Sequence, residues 1–510
     1  MPASIPCKRT TFTTLKLEYI QTQFKRIFHM RIAIGSGALL ILAGCTSNPQ
    51  HLALSHREEA VIQSTHTIID QTKTVFPLND YPQNVDKWIP PTAPNYHSPF
   101  INSAQQKIYF NALMRHYFGQ NSDDKSPWNP RYINPLLGDG GAVKDSISRQ
   151  VNRYTHPETR YYGENFMLLD ATWKEKMRAL ASVSVAHNYM PSSRGITLEE
   201  TAVRLLPTAY PAFNDPSQAG EGYPFDTLQS SAVHPGTPIY IADTTEDRSW
   251  SYIITPTVMG WVDSSNIAKV DGVFIQKWTA MAEKNLGAVI NDNANFVDNG
   301  GVFRFTARTG TLLPLKTVNG KKVAAIPISN NKGKAVIHYA SLADNTMHQV
   351  PIPPTPENIA HLMKNMQGKN YGWGNIYGFN DCSAEIRNLL LPFGIFLPRN
   401  SLAQSLSGER VDLSDLSTEE RIEYLTQRGK PFTTLIYIGG HVMLYIGNTH
   451  WAGHTVPMTY QNLWGLKPTN ASSRSIIGKS IFFPLLSQYP EAPELGSLAG
   501  KAEFILTRLN

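Results

Sequence analysis

Asn370–Ser401 reads NYGWGNIYGFNDCSAEIRNLLLPFGIFLPRNS. A loop rich in Gly and Asn runs into Asp381, Cys382 and Ser383, and the apolar positions Ile386, Leu389 and Leu390 follow at helical spacing. That pattern predicts a helix that begins at the cysteine. Backbone N–H groups at such a position favour a thiolate, so a lowered thiol pKa is expected there. The competing reading is a small buried hydrophobe, a common fate of cysteine.

Counting thiols favours the reactive reading. The chain has three cysteines, Cys7, Cys45 and Cys382. Lys25, Arg26 and Arg31 precede or open the short apolar run IAIGSGALLILA (32–43), which ends in Leu42-Ala43-Gly44-Cys45. A basic stretch, an apolar core too short to span a bilayer and small residues before a cut describe an export signal. The Leu-Ala-Gly-Cys ending resembles the bacterial lipobox, which implies removal of residues 1–44 and lipidation of Cys45. Met30 starts a more ordinary signal than Met1, so the first 29 or so residues read as an over-extended start. Cys382 is then the sole free thiol of an exported protein, where an unpaired cysteine has to be buried or reactive.

Of the 510 residues 41% are hydrophobic and 17% charged, the composition of a globular chain long enough for several domains. The whole chain carries a formal charge of +6 and the leader contributes +5 of it, which leaves +1 on the exported part. A nearly neutral surface argues against nucleic acid as a partner.

Residues 46–70 read as a polar tether. Residues 71–195 are mainly helical, with Ile108, Phe110, Leu113, Met114 and Tyr117 at helical spacing and a second helix near 168–183. Residues 196–270 and 285–345 change to short alternating runs punctuated by turns, which predicts two small β-barrels. One larger β-domain is the alternative. Pro-rich residues 350–356 form a stiff linker into a helix with Thr355 as N-cap, Pro356 at N1 and Gly368 beyond its end. A final α+β domain spans 356–485, and 486–510 reads as a C-terminal tail.

A thiol nucleophile needs a base, and the base needs an orienting group. His441 follows Gly439-Gly440 between the apolar runs 435–438 and 442–446, which predicts adjacent antiparallel strands with His441 opening the second. His450 and His454 lie four apart, but the intervening Trp451-Ala452-Gly453 is not helical in pattern, and no metal site or cofactor is expected.

YGWGN…DCS, FGIFLPRNS, GGHVMLYIG and the Trp464-Gly465 pair resemble the NlpC-type family of bacterial cell-wall cysteine peptidases. VRLLPT (203–208), EGYPFDTLQSS (221–231) and GWV (260–262) are similar to the SH3-type barrel of its multidomain branch, and SPWN (126–129) and YGENF (162–166) to its helical N-terminal domain. The resemblance implies a papain-like α+β peptidase domain preceded by two SH3-like barrels and a mainly helical domain. It further implies Cys382 as nucleophile, His441 as general base and Gln461 as orienting residue, with His454 as competitor for that role. Gln461 departs from the usual His, and Asn375 stands where a second Gly is usual.

The implied reaction is hydrolysis of the γ-D-glutamyl to diamino acid bond of peptidoglycan stem peptides. Tyr371, Asp381 and Ser383 would read a free N-terminal L-Ala, and Tyr223 and Asp226 would line a barrel wall that limits the cleft to short peptides. Arg399 and Ser401 match the motif and are assigned to loop structure. A catalytically weak wall-peptide-binding lipoprotein and an acyltransferase on the same fold are the rival functions. The expected protein is a monomer, anchored in the bacterial envelope through lipid on Cys45. Thr46 points to the outer membrane, facing the periplasm, in a cell that has one.

Overall fold

The structure, a computed structural model, describes residues 74–509 apart from 120, 469, 471 and 472. The signal, the lipobox Cys45 and the tether lie outside the described residues. Among those described, no helix is long and apolar enough to cross a membrane.

The longer N-terminal helices are α1 (Ser103–Phe118), α2 (Ala142–Thr155) and α3 (Ala171–Leu180). Side chains of Asn102 and Asp170 cap α1 and α3, accepting from Gln105 N and Trp173 N. Helices α2 and α3 share a small cluster, Tyr154 and Met177 with Leu169, which also takes in Leu206, Ala212 and Leu228. Leu113, Met114, Tyr117 and Phe118 of α1 pack with the second barrel, and Val143 and Ile147 of α2 with Tyr240, Tyr252 and Trp261 of the first. The preceding segment lies on the last domain, where Val85, Ile89 and Ile101 join one of its clusters and Phe76 and Tyr81 another. The described part of 71–195 carries helices, and most of their apolar side chains pack on the other domains. The apolar faces legible in the sequence do not say what each will meet.

Two separate β-domains follow. The first is a seven-stranded sheet of β1 (Arg194–Thr197), β2 (Thr201–Arg204), β3 (Gln229–Val233), β4 (Pro238–Thr244), β5 (Trp250–Ile254), β6 (Met259–Asp263) and β7 (Ile267–Lys269), in the order β3-β2-β6-β5-β4-β1-β7. Helix α4 (Gly272–Asn285) leads into the second, which has β8 (Leu286–Val289), β9 (Ala294–Val297), β10 (Phe303–Ala307), β11 (Leu312–Val318), β12 (Lys321–Ser329), β13 (Ala335–Ser341) and β14 (Met347–Gln349). Its main sheet runs β13-β12-β11-β8-β14, and β9 and β10 form a ribbon.

Helix α5 (Pro356–Met366) opens the last domain with the predicted cap, the Thr355 hydroxyl accepting from Asn358 N at 3.3 Å. Helix α6 (Cys382–Leu390) follows, with Asp381 as N-cap and every one of its residues buried. A helix buried all round must satisfy its polar side chains internally. Glu385 accepts from Tyr460, Ser480 and Asn380, Arg387 donates to the Tyr117 hydroxyl, and Asn388 Nδ2 donates to Asn380.

Helix α6 packs on a six-stranded sheet of β15 (Glu409–Asp412), β16 (Thr434–Tyr437), β17 (Val442–Trp451), β18 (His454–Leu466), β19 (Ser475–Pro484) and β20 (Ile505–Arg508). Helix α7 (Thr418–Arg428) closes its outer side. The strand order is β15-β20-β16-β17-β18-β19. The expected C-terminal tail is thus a structural part of the domain: β20 pairs with β15 on one side and β16 on the other. The Pro/Glu/Gly-rich approach at 490–500 hides a strand only four residues long, too short for the alternation that marks longer ones.

The first barrel grips the loop before α6. Gln229 Nε2 donates to Gly374 O at 2.9 Å, and its Oε1 accepts from Arg204, which is paired with Asp226 inside the barrel. A Cβ at Gly374 would lie 2.6 Å from Gln229 O, and its φ is +58°, so glycine is required there. Arg204→Met leaves Asp226 buried without its counter-charge. A loss of about 3 kcal/mol is expected, read as a lower urea midpoint, and Arg204→Met with Asp226→Asn should recover part of it.

Candidate active site

The loop Tyr371–Asn380 and the start of α6 are built around one carboxylate. Asp381 Oδ1 accepts from Ala384 N at 2.9 Å, the Ser383 hydroxyl at 3.0 Å and Arg399 Nη1 at 3.1 Å. Its Oδ2 accepts from Arg399 Nη2 at 2.7 Å and Gly374 N at 3.2 Å. Burial alone would raise this carboxyl, but Arg399 and the other donors override it and hold the group below the usual carboxylate range. Arg399 also reaches Asn375 Oδ1 at 2.8 Å and Ser231 Oγ at 2.7 Å, tying the loop to the first barrel. Asn375 adopts the left-handed backbone expected of it, with φ +64°.

Cys382, at N1 of α6, is a free thiol. It is 7% exposed and lines a cleft of about 650 Å³, so the sulfur is not sealed in hydrocarbon. Backbone N–H groups of Val442 and Ser383 lie close enough to the thiol to favour its ionised form. The Val442 contact sets the sulfur against the residue that follows His441. His441 lies in the turn between β16 and β17, where Gly439 and Gly440 have φ +70° and +95° and Ile438 N donates to His441 O at 3.0 Å.

On its other side His441 Nε2 meets Gln461 Oε1 at 2.7 Å. Gln461 is fully buried, and its Nε2 donates to Thr459 Oγ1 at 2.9 Å, whose hydroxyl donates to Phe483 O at 2.7 Å. That relay fixes the amide, because only its carbonyl is left to face the imidazole. Nε2 therefore carries the ring proton of the neutral imidazole, and Nδ1 keeps the lone pair. His454 is remote from this arrangement, exposed at the far end of the β17–β18 hairpin beside Trp451, with His450 on the neighbouring strand.

The expected lowering of the thiol pKa is not found. Burial pushes Cys382 up to about 12, with the Asp381 charge adding to it, and this outweighs Val442 N–H, Arg399 and Ser383 N–H. Burial likewise takes His441 down to about 4, although Gln461 and Asp381 act the other way. The resting pair is a neutral thiol and a neutral imidazole. Such a pair can deliver a sulfur nucleophile when the imidazole accepts the thiol proton during attack.

The cleft wall combines both domains. Leu205, Gly220, Glu221, Phe225 and Gln229 come from the first barrel, Arg153 from α2, and Tyr371, Trp373, Ser383, Arg399, Ser401 and Arg474 from the last domain. The rings of Phe225, Tyr371, Trp373 and Trp464 cluster at 5.4–6.3 Å. Of the barrel residues expected here, Asp226 is turned into the barrel against Arg204, and Tyr223 faces solvent over Tyr377. Their neighbours Glu221 and Phe225 line the cleft instead. Arg399, assigned from sequence to loop structure, is part of that lining. Arg153 and Arg474 carried no motif, Glu221 opened the quoted stretch EGYPFDTLQSS without being singled out, and only the tertiary fold collects the three.

Residues 211–263 match the SH3 domain of SH3b1 type, and residues 274–317 the SH3 domain of SH3b2 type. No curated protein matches the chain in sequence. The fold is similar to that of an NlpC/P60 endopeptidase from Photobacterium damselae subsp. piscicida, 25% identical over 86% of this chain and 99% of that one, with a TM-score of 0.74. An NlpC/P60 family protein from Bacillus cereus ATCC 10987 is 15% identical over 60% of this chain and 98% of its own, at a TM-score of 0.39, too low to bear on the reading. A likeness through most of the chain, with a thiol, an imidazole and its amide partner assembled in the last domain behind two SH3b barrels, gives the protein the fold of the NlpC/P60 endopeptidases and the site of a cysteine peptidase.

Proposed function

We propose that the protein hydrolyses peptidoglycan stem peptides at the bond between the D-glutamate γ-carboxyl and the diamino acid, in fragments with a free N-terminal L-Ala. We place it in the bacterial envelope, held by lipid on Cys45 and facing the periplasm in a cell with two membranes. The observation that carries the chemistry is the Gln461–His441 hydrogen bond, which leaves the Nδ1 lone pair available to the thiol. His441 takes the Cys382 proton as the sulfur attacks the scissile carbonyl, and the Cys382 backbone N–H at the start of α6 offers a donor to the oxyanion. The C–N bond then breaks, and His441 returns the proton to the leaving amine. Water, deprotonated by the same imidazole, splits the thioester and restores the thiol.

The carboxylates of the cleft differ in what they can still accept. Asp381 already takes five donors, more than the roughly four lone-pair sites of a carboxylate. Its work is to hold the loop and α6. Among the described residues Glu221 accepts only from Asn214 Nδ2, at 2.9 Å, and it is the carboxylate suited to the substrate ammonium. The barrel wall that carries Glu221 supports a substrate that ends near it, as a released fragment does.

L-Ala-γ-D-Glu-diaminopimelate should be cleaved between D-Glu and the diamino acid, its N-acetylated analogue should not, and Cys382→Ala should abolish turnover, all followed by mass spectrometry. Binding without turnover would favour a wall-peptide-binding protein, and transfer to an added amine an acyltransferase.

The base form of His441 is present above about pH 4, so kcat/KM should hold between pH 7 and pH 5 and fall only as the pH approaches 4. A decline centred near 6.5 would contradict the neutral resting pair. Gln461→Ala frees the imidazole to turn and should lower kcat by about 10² with little change in KM.

A further inference from the structure

Three arginines line the cleft, and two are already engaged. Arg399 forms the two-pronged pair with Asp381. Arg153 lies over the Tyr154 ring, 5.2 Å from its centroid, and bonds to Tyr161. Arg474 is different. Its Nε–H is buried without a hydrogen-bond partner, and the side chain makes no hydrogen bond or ion pair with any described residue. Glu221 and Tyr371, both of the same cleft wall, favour its charge, and Lys501 lies near enough to feel that charge.

The site around it is shaped to admit it. Gly220 has φ +83°, and a Cβ there would fall 1.9 Å from Arg474 Nη2. The guanidinium therefore lies on bare backbone, one residue from Glu221. A buried, unfilled N–H on a cation next to a carboxylate that is not its ion-pair partner makes a dipolar site. Such a site suits a ligand with an ammonium and a carboxylate a few bonds apart.

The peptide of the proposed reaction, on which this step rests, has that pattern. Glutamate joined through its γ-carboxyl keeps its α-carboxylate free, one residue from the L-Ala amine. We propose that Arg474 is the specificity residue that reads this free α-carboxylate, so that the protein selects D-glutamate stems over stems whose α-carboxyl is amidated to D-isoglutamine. An amide at that position keeps one carbonyl acceptor but loses the charge and the second acceptor, so the guanidinium forfeits its ion pair and the two-pronged geometry.

The dipeptides L-Ala-γ-D-Glu and L-Ala-D-isoglutamine can be titrated into the purified protein by calorimetry. The acid should bind at least about 10-fold more tightly than the amide. Arg474→Gln should weaken the acid by a similar factor and leave the amide within about twofold, and Arg474→Lys should restore part of the preference. Equal affinities, no binding of either dipeptide, or an Arg474→Gln variant that weakens both alike would overturn the assignment. Cleavage of L-Ala-γ-D-Glu-diaminopimelate is scored separately. Dipeptide preference without cleavage would sink the peptidase reading and keep Arg474, whereas cleavage with no preference between acid and amide would do the reverse.

Discussion

The Asp381 carboxylate is the constraint on which the site depends. It caps the helix that begins at Cys382, holds Gly374 N in the preceding loop and receives the two-pronged grip of Arg399, which itself reaches the first barrel through Ser231. One buried charge thus fixes the sulfur's helix, the cleft loop and the domain contact together. Removing either partner would strand the other in a dry environment, so helix, loop and barrel are locked in one arrangement.

Those contacts also account for the electrostatics at the sulfur. Burial works hardest against ionisation of the thiol, and the negative charge that organises the loop sits beside it and adds to that. A helix N-terminus, considered alone, predicts the opposite. Its first-turn amides are shared here with the Asp381 cap, and the same burial that opposes the thiolate keeps His441 unprotonated. The pair gives up a standing ion pair and keeps a base ready over a wide pH range.

Much of the frame was legible in the sequence because it depends on local rules. Thr355 and Pro356 announce a helix start, Asp381 and Cys382 another, and Gly439-Gly440 a turn between two apolar strands, all of which appear where expected. The alternation in 238–254 and 303–341 likewise marked two β-domains. What was not legible depends on long-range placement. Arg474 lies in the featureless Ser-Ser-Arg-Ser, and its meaning comes from Gly220, more than two hundred positions earlier. Asp226 looked like a wall residue by motif, yet its side chain points the other way, into Arg204. Gln461 is a case between the two: its position followed from a motif, while its orientation needed Thr459 and Phe483.

The position of β20 bears on how the molecule comes to be made. Residues 505–508 slot between β15 and β16, so neither edge can close until translation has supplied them. Synthesis runs ahead through both barrels and most of the last domain while that seam stays open. Completion of the sheet beneath the sulfur's helix therefore waits on a short segment far from it in sequence, so the cleft is finished only when the last strand is in place.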